Sequence, residues 1–171
     1  MITVAYCRTM AAYNCWQNDG LRKIVTGMNP DVLTRNQGAF FGSILGTLNH
    51  LLWGDQIWLS RFTGSAAPKG GIKETVDLTP TLAAWGAERF QTDAALVQWG
   101  EKMRALDLVG DLSWYSGAAG RDVSKPRAML VAHVFNHQTH HRGQIHAMLT
   151  AAGQFPGDTD IPFMPEEGTW R

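Results

Sequence analysis

The sequence has few cysteines, no excess of either charge and no long apolar run, and each shortage closes a class of explanation. Only two of its 171 residues are cysteine. Cys7 and Cys15 fall in a segment with helical period, which sets them about 12 Å apart at roughly 1.5 Å per residue, too far for a disulfide. Two unpaired thiols fit a reducing compartment and a packing role. Fifteen Lys and Arg balance fifteen Asp and Glu, and the basic residues fall as singles and pairs. Nucleic acid and anionic membrane surfaces both call for clustered positive charge, so neither is expected as a partner. No apolar stretch is long enough to span a bilayer, and the opening MITVAYCRTMAAYN lacks the basic-then-apolar pattern of a secretory signal. The expectation is a soluble, cytoplasmic protein.

What is present is helical period. The length suits one domain, residues 1–171, with a substantial core. The first periodic segment runs from about Thr3 to Thr26 and is closed by GMNP at 27–30. A second, apolar nearly all round, runs from about Phe40 to Phe62, which signals burial on more than one side. GSAAPKGG at 64–71 is a flexible connection. Thr79 as N-cap and Pro80 at the first helical position predict a third helix reaching about Leu106. The segment 108–126 is broken by three glycines and has room for a short hairpin. Ser124 and Pro126 open a fourth helix, closed by Gly153, and the chain from about 154 onward reads as an extended tail. The fold class is all-α, with a four-helix bundle leading. The link between the second and third helices is long enough to cross such a bundle.

Five of the six histidines lie in HVFNHQTHHRGQIH at 133–146. On a helix, His137 and His141 form an i, i+4 pair with Cβ atoms about 5–6 Å apart, and such a pair can converge on one ion at about 2.0–2.1 Å. Helical phase puts His141 inside the apolar arc of Leu130, Val134, Ile145, Met148 and Leu149, with His137 close to it. His133 and His140 sit at its margin, and His146 points away. A bare buried imidazole pair is awkward because protonation creates a buried charge, and a shared metal removes that difficulty. A zincin would carry glutamate directly after the first histidine to act as base. Here that position is Gln138, so the zincin reading fails. Two ligands make a weak site, and the remaining histidine is His50. It lies opposite the broader apolar face of the second helix but shares a narrower one with Gly46, Trp53 and Ile57. From the residues alone, His50 is either an inward group or a polar residue on a solvated face.

The run NHQTHHRGQIHAML, with HxxxHRGQ at 137–144, resembles the C-terminal helix of the DinB-like family of metal-dependent enzymes. YNCW at 13–16, GAFFGSILGTLNHLLWGDQIWL at 38–59 and DTDIPFM at 158–164 extend the likeness over essentially the whole chain. The resemblance implies a four-helix bundle with a crossing connection between its second and third helices, commonly a homodimer. It also implies a divalent metal, nickel or zinc, held by His50, His137 and His141. Gln144 lies near the His137 face and is placed to orient a ligand or a coordinated water. Asn49, His133 and His140 are further candidates for that supporting role. Arg142 points away and is expected in a structural ion pair, while Trp53 and Trp58 are expected in the core or an interface. No Glu or Asp sits beside the ligand pair, and Asp55 is off the His50 face, so no base is assigned. Relatives in the wider superfamily use such an ion for thiol-dependent transfer or isomerisation with a low-molecular-weight thiol, or for hydrolysis. The leading expectation is therefore a metal-dependent thiol transferase or hydrolase acting on a small molecule. The alternative is a non-catalytic dimeric metal-binding or stress-response module.

Overall fold

The computed structural model describes residues 2–166 and is mostly helical. In chain order it contains α1 (Val4–Thr26), the short α2 (Pro30–Thr34), α3 (Ile44–Thr63), α4 (Leu82–Lys102), the strands β1 (Asp111–Ser116) and β2 (Arg121–Pro126), and α5 (Arg127–Ala151). The strands form one antiparallel hairpin in which Trp114 faces Val123. No helix among the described residues is long and apolar enough to cross a membrane.

The helix ends follow their capping chemistry, and several differ from the sequence expectation for that reason. Asn29 caps a helix that periodicity did not show: its Oδ1 accepts from Asp31 N at 2.9 Å, with Pro30 in the first turn. The second long helix begins at Ile44 instead of Phe40, because Ser43 Oγ accepts from Gly46 N at 3.0 Å. Phe40 and Phe41 are left in the preceding turn, which Gln37 N closes onto Gly42 O at 2.7 Å. The cap of α4 is Thr81, whose hydroxyl accepts from Ala84 N at 3.1 Å; Thr79 is used elsewhere. This helix stops at Lys102, short of Leu106, which sits in a single 3-10 turn at 105–108. Ser124 belongs to the hairpin, bonded to Ser113 at 2.9 Å, and α5 starts after Pro126. Neither Cys7 nor Cys15 forms a disulfide among the described residues.

All four long helices carry the same three layers. One apolar cluster gathers Leu21 and Val25 from α1, Ile44, Leu48, Leu51 and Leu52 from α3, Trp85 from α4, and Ile145, Met148 and Leu149 from α5. A second gathers Cys7, Met10 and Tyr13 from α1, Val131 and Phe135 from α5, and Met103 just after α4, with Phe62 of α3 packed against it. Between them every long helix contributes buried polar groups: Asn14 and Asn18, Asp55, Arg89 and Asp93, Gln138 and Arg142. Layer order gives direction. α1 and α5 run from the Met103 cluster to the Trp85 cluster, whereas α3 and α4 both run the opposite way. Segment 64–81 therefore returns the chain along α3. Asn49 holds it there, donating to Val76 O at 2.8 Å and accepting from Thr79 Oγ1 at 2.7 Å. The tail lies along α1, where Tyr13 Oη donates to Thr159 O at 2.6 Å and Gln17 Nε2 to Asp158 O at 2.8 Å.

Candidate metal centre

The returning segment does more than connect. Its Thr75 hydroxyl donates to Ile72 O at 3.0 Å and lies 3.0 Å from His50 Nδ1. With the hydroxyl proton committed to Ile72, the oxygen can only accept, so His50 carries its proton on Nδ1. That leaves Nε2 as a bare lone pair. On α5 the same logic holds for His141: its Nδ1 is 2.8 Å from Gln144 Oε1, an acceptor, and so Nε2 is again unprotonated. The other end of the Gln144 amide is 3.3 Å from His140 Nε2, which orients it. Imidazoles that ligate metals are held in this way, by an acceptor on the ring nitrogen away from the ion.

The three side chains converge. His50 is buried, and its Nε2 lies 3.2 Å from His137 Nε2. One nitrogen each from His50, His137 and His141 fall within 4.8 Å of one another, so the group can hold a metal ion. Two ligands at about 2.05 Å from a tetrahedral ion stand about 3.3 Å apart, close to the observed His50–His137 separation. Without a cation, that approach demands a proton on His137 Nε2, since His50 presents only a lone pair. Burial followed by the charge of His141 pushes His50 down to about 4. Burial followed by the neighbouring histidines pushes His137 down to about 3. His141 is lowered too, again chiefly by burial. At neutral pH all three are uncharged donors, the form that binds a transition metal.

Packing sets the rings. Phe41, in the turn before α3, stacks on His50 with centroids 3.7 Å apart and planes 18° off parallel. Gly54, one turn along from His50, makes space for His137: a Cβ there would sit 2.9 Å from His137 Cε1. No cysteine or carboxylate joins the three histidines among the described residues. The nitrogens instead open into a cleft of about 860 Å³. Both loops that the sequence left unplaced contribute to its wall, the returning segment at 70–74 and the hairpin tip at 114–118.

The remaining expectations sort by helical phase. Gln144 bonds His141, and His140 lies against the other end of the Gln144 amide. His133 lines the cleft beside Trp58, with ring centroids 5.3 Å apart. The Asn49 side chain bonds Val76 and Thr79 of the returning segment. Arg142 forms no ion pair among the described residues; it donates to Asn14 Oδ1 and lies 5.2 Å from the Tyr13 ring centroid. Trp53 and Trp58 line the cleft instead of an interior core, and the buried Trp53 Nε1 has no hydrogen-bond partner there. Thr75, Phe41, Gly54, Arg61 and Trp114 were missed. Only Gly54 had a local signal, as a small residue one turn from His50. His146 is half-buried and outside the centre.

No individually curated protein matches the chain. A family comparison does match; in the structure YNCW and DTDIPFM meet through Tyr13 and Thr159, while His137 of HxxxHRGQ faces His50. With that match extending over residues 1–171, the chain belongs to the DinB family.

Proposed function

We propose that this protein is a metal-dependent enzyme of the thiol-transferase or hydrolase kind, with nickel or zinc held by His50, His137 and His141. One observation carries the reading: three imidazole nitrogens meet beside a large cleft with no fourth protein ligand among the described residues. Catalytic sites keep such a position open, whereas structural sites close it. A divalent ion there supplies Lewis-acid charge that lowers the pKa of a coordinated water or thiol. The chain's residues do the rest. Thr75 and Gln144 fix the His50 and His141 tautomers, Phe41 shields one face of His50, and Gly54 leaves His137 free to reach the centre. Glu74, the one carboxylate of the cleft wall, accepts from Gly71 N at 2.8 Å, and it is assigned no role as base.

The proposal extends to a single four-helix-bundle domain with a crossing connection, supported by the shared layer order and by the parallel run of α3 and α4. It also includes a homodimer, a cytoplasmic setting and a low-molecular-weight thiol as cosubstrate. Protein purified without a histidine tag should contain about one nickel or zinc per chain. A stoichiometry near zero, unchanged by added metal, would refute the centre. The loaded protein, assayed against electrophiles with several small thiols, should consume thiol, and His137→Ala should not. No consumption with any pairing would sink the transferase version.

A further inference from the structure

The cleft has a second polar end. Arg61 lies on α3 eleven residues after His50, about 16 Å further along the helix axis at roughly 1.5 Å per residue. Its guanidinium carbon is 4.5 Å from the Trp58 ring centroid and 5.4 Å from that of Trp114 on the hairpin. The two indoles are themselves in edge contact at 5.4 Å. All three residues line the same cleft as the histidines. Such a bracket costs the side chain its freedom and holds the charge in place. Yet Arg61 makes no ion pair or hydrogen bond among the described residues, although a guanidinium has five N–H donors. The wall around it is short of negative charge. Lys73 adds a second cation, and among the described residues of the wall the one carboxylate is Glu74, whose Oε2 accepts from Gly71 N.

A fixed, half-buried guanidinium with unused donors in a cation-rich cleft is suited to one kind of ligand group. We infer that Arg61 is a specificity residue that binds the carboxylate of an aromatic or otherwise apolar small-molecule acid, aligned along the cleft between Trp58, Trp114 and the histidine centre. Both indoles lie to one side of the guanidinium, 4.5 and 5.4 Å from its carbon and 5.4 Å from each other, leaving N–H donors on its other side for bidentate bonds, which match a planar carboxylate. A phosphate dianion would call for further donors, such as a second arginine or a run of backbone N–H groups. The cleft wall offers only the single guanidinium and the more exposed Lys73. This assignment rests on the proposed function for its reacting centre, but Arg61 and its indoles stand apart from the metal ligands.

The test compares 3-phenylpropionate with 3-phenylpropionamide, its uncharged isostere, by calorimetry and by quenching of tryptophan fluorescence. It is run on zinc-loaded and chelator-stripped wild type, Arg61→Ala, Arg61→Lys and His137→Ala. In the wild type the acid should bind about tenfold or more tightly than the amide, with the preference falling at high salt. Arg61→Ala should abolish the preference, and Arg61→Lys should restore part of it as a point charge without the fork. Stripped wild type and His137→Ala should keep it. Equal affinity of acid and amide overturns the inference, whatever the metal content. A preference that survives Arg61→Ala but disappears on stripping or in His137→Ala also overturns it, because the acid would then be a metal ligand. An empty metal site with an intact Arg61-dependent preference would overturn the proposed centre and leave this assignment standing.

Discussion

Two columns of α5 stand side by side and have opposite fates. His137 and His141 form one; Gln138 and Arg142, each one residue later and about 100° further round, form the other. The histidine column meets His50 and lines the cleft. The second column enters the polar layer. Gln138 Nε2 donates to Asp55 Oδ1 at 2.8 Å, and Arg142 donates to Asn14. Arg89 joins the network at its centre, 2.8 Å from Asp55 Oδ2 and bonded through Nε to Asp93 Oδ2 at 3.0 Å. Asn14 and Asn18 donate to the other Asp93 oxygen at 3.2 and 2.9 Å. Two arginines and two aspartates leave this layer formally neutral. Most of its polarity is spent internally, on tying the four helices to one register, and only single atoms such as Gln138 Oε1 and Arg142 Nη2 are left without a hydrogen-bond partner among the described residues. The histidine group, by contrast, has no charged partner and borders the cleft, so its nitrogens are open to an ion from outside.

The sharpest way to break the comparison is to injure the closed layer. Arg89→Met strands two buried carboxylates, and removing one partner of a buried pair costs about 3–5 kcal/mol. Urea unfolding should show this loss while metal stoichiometry of the folded fraction stays unchanged. His137→Ala should do the reverse. Metal affinity, read by competition with a chromophoric chelator, should fall by more than the roughly 10–100-fold seen when an outer partner is removed. Stability of the metal-free protein should move by less than in Arg89→Met, because the ring borders the cleft and its removal strands no buried charge.

Thr75→Val removes the acceptor that holds the His50 tautomer, and the same titration should show a loss of about 10–100-fold. Gly54→Ala places a methyl against His137 Cε1 and should weaken metal binding by about tenfold, at the low end of that range. The smallest effect is a slope. His50 and His137 titrate at about 4 and about 3 in the fold, against about 6.5 unfolded. Their contribution to stability is complete above about pH 6.5 and is lost as pH falls toward those lower values, because the unfolded chain takes up protons first. Melting temperature of the metal-free protein should therefore drop with acid through that window, and less steeply in His137→Ala. A slope unchanged in that variant would refute the contribution of His137.

The sequence by itself determined the periodic elements and the phase of α5. Apolar spacing marks the four long helices, and a turn of 100° per residue separates His137 and His141 from His146 without any coordinates. It also sets Gln138 off the ligand pair, since its type and phase both oppose a base. Local pattern could not determine what depends on groups far apart in the chain. His50 lies opposite the broad apolar face of its helix, and it becomes a buried partner of α5 only because α3 is covered on both sides. Thr75 comes from a loop with no period to read, and Phe41, which the apolar period put in the helix, lies in the turn before it; the two set the His50 proton and ring plane. Trp58 looked like core because an indole is apolar in any sequence scale; the hairpin bringing Trp114 opposite it made that surface a cleft wall. Arg142 looked like one half of an ion pair, and the approach of α1 supplied an amide and a phenol ring instead. Phase is a property of one helix. Which groups a face meets, and whether a polar side chain is satisfied within the protein or left for a ligand, depends on the neighbours that tertiary packing brings to it.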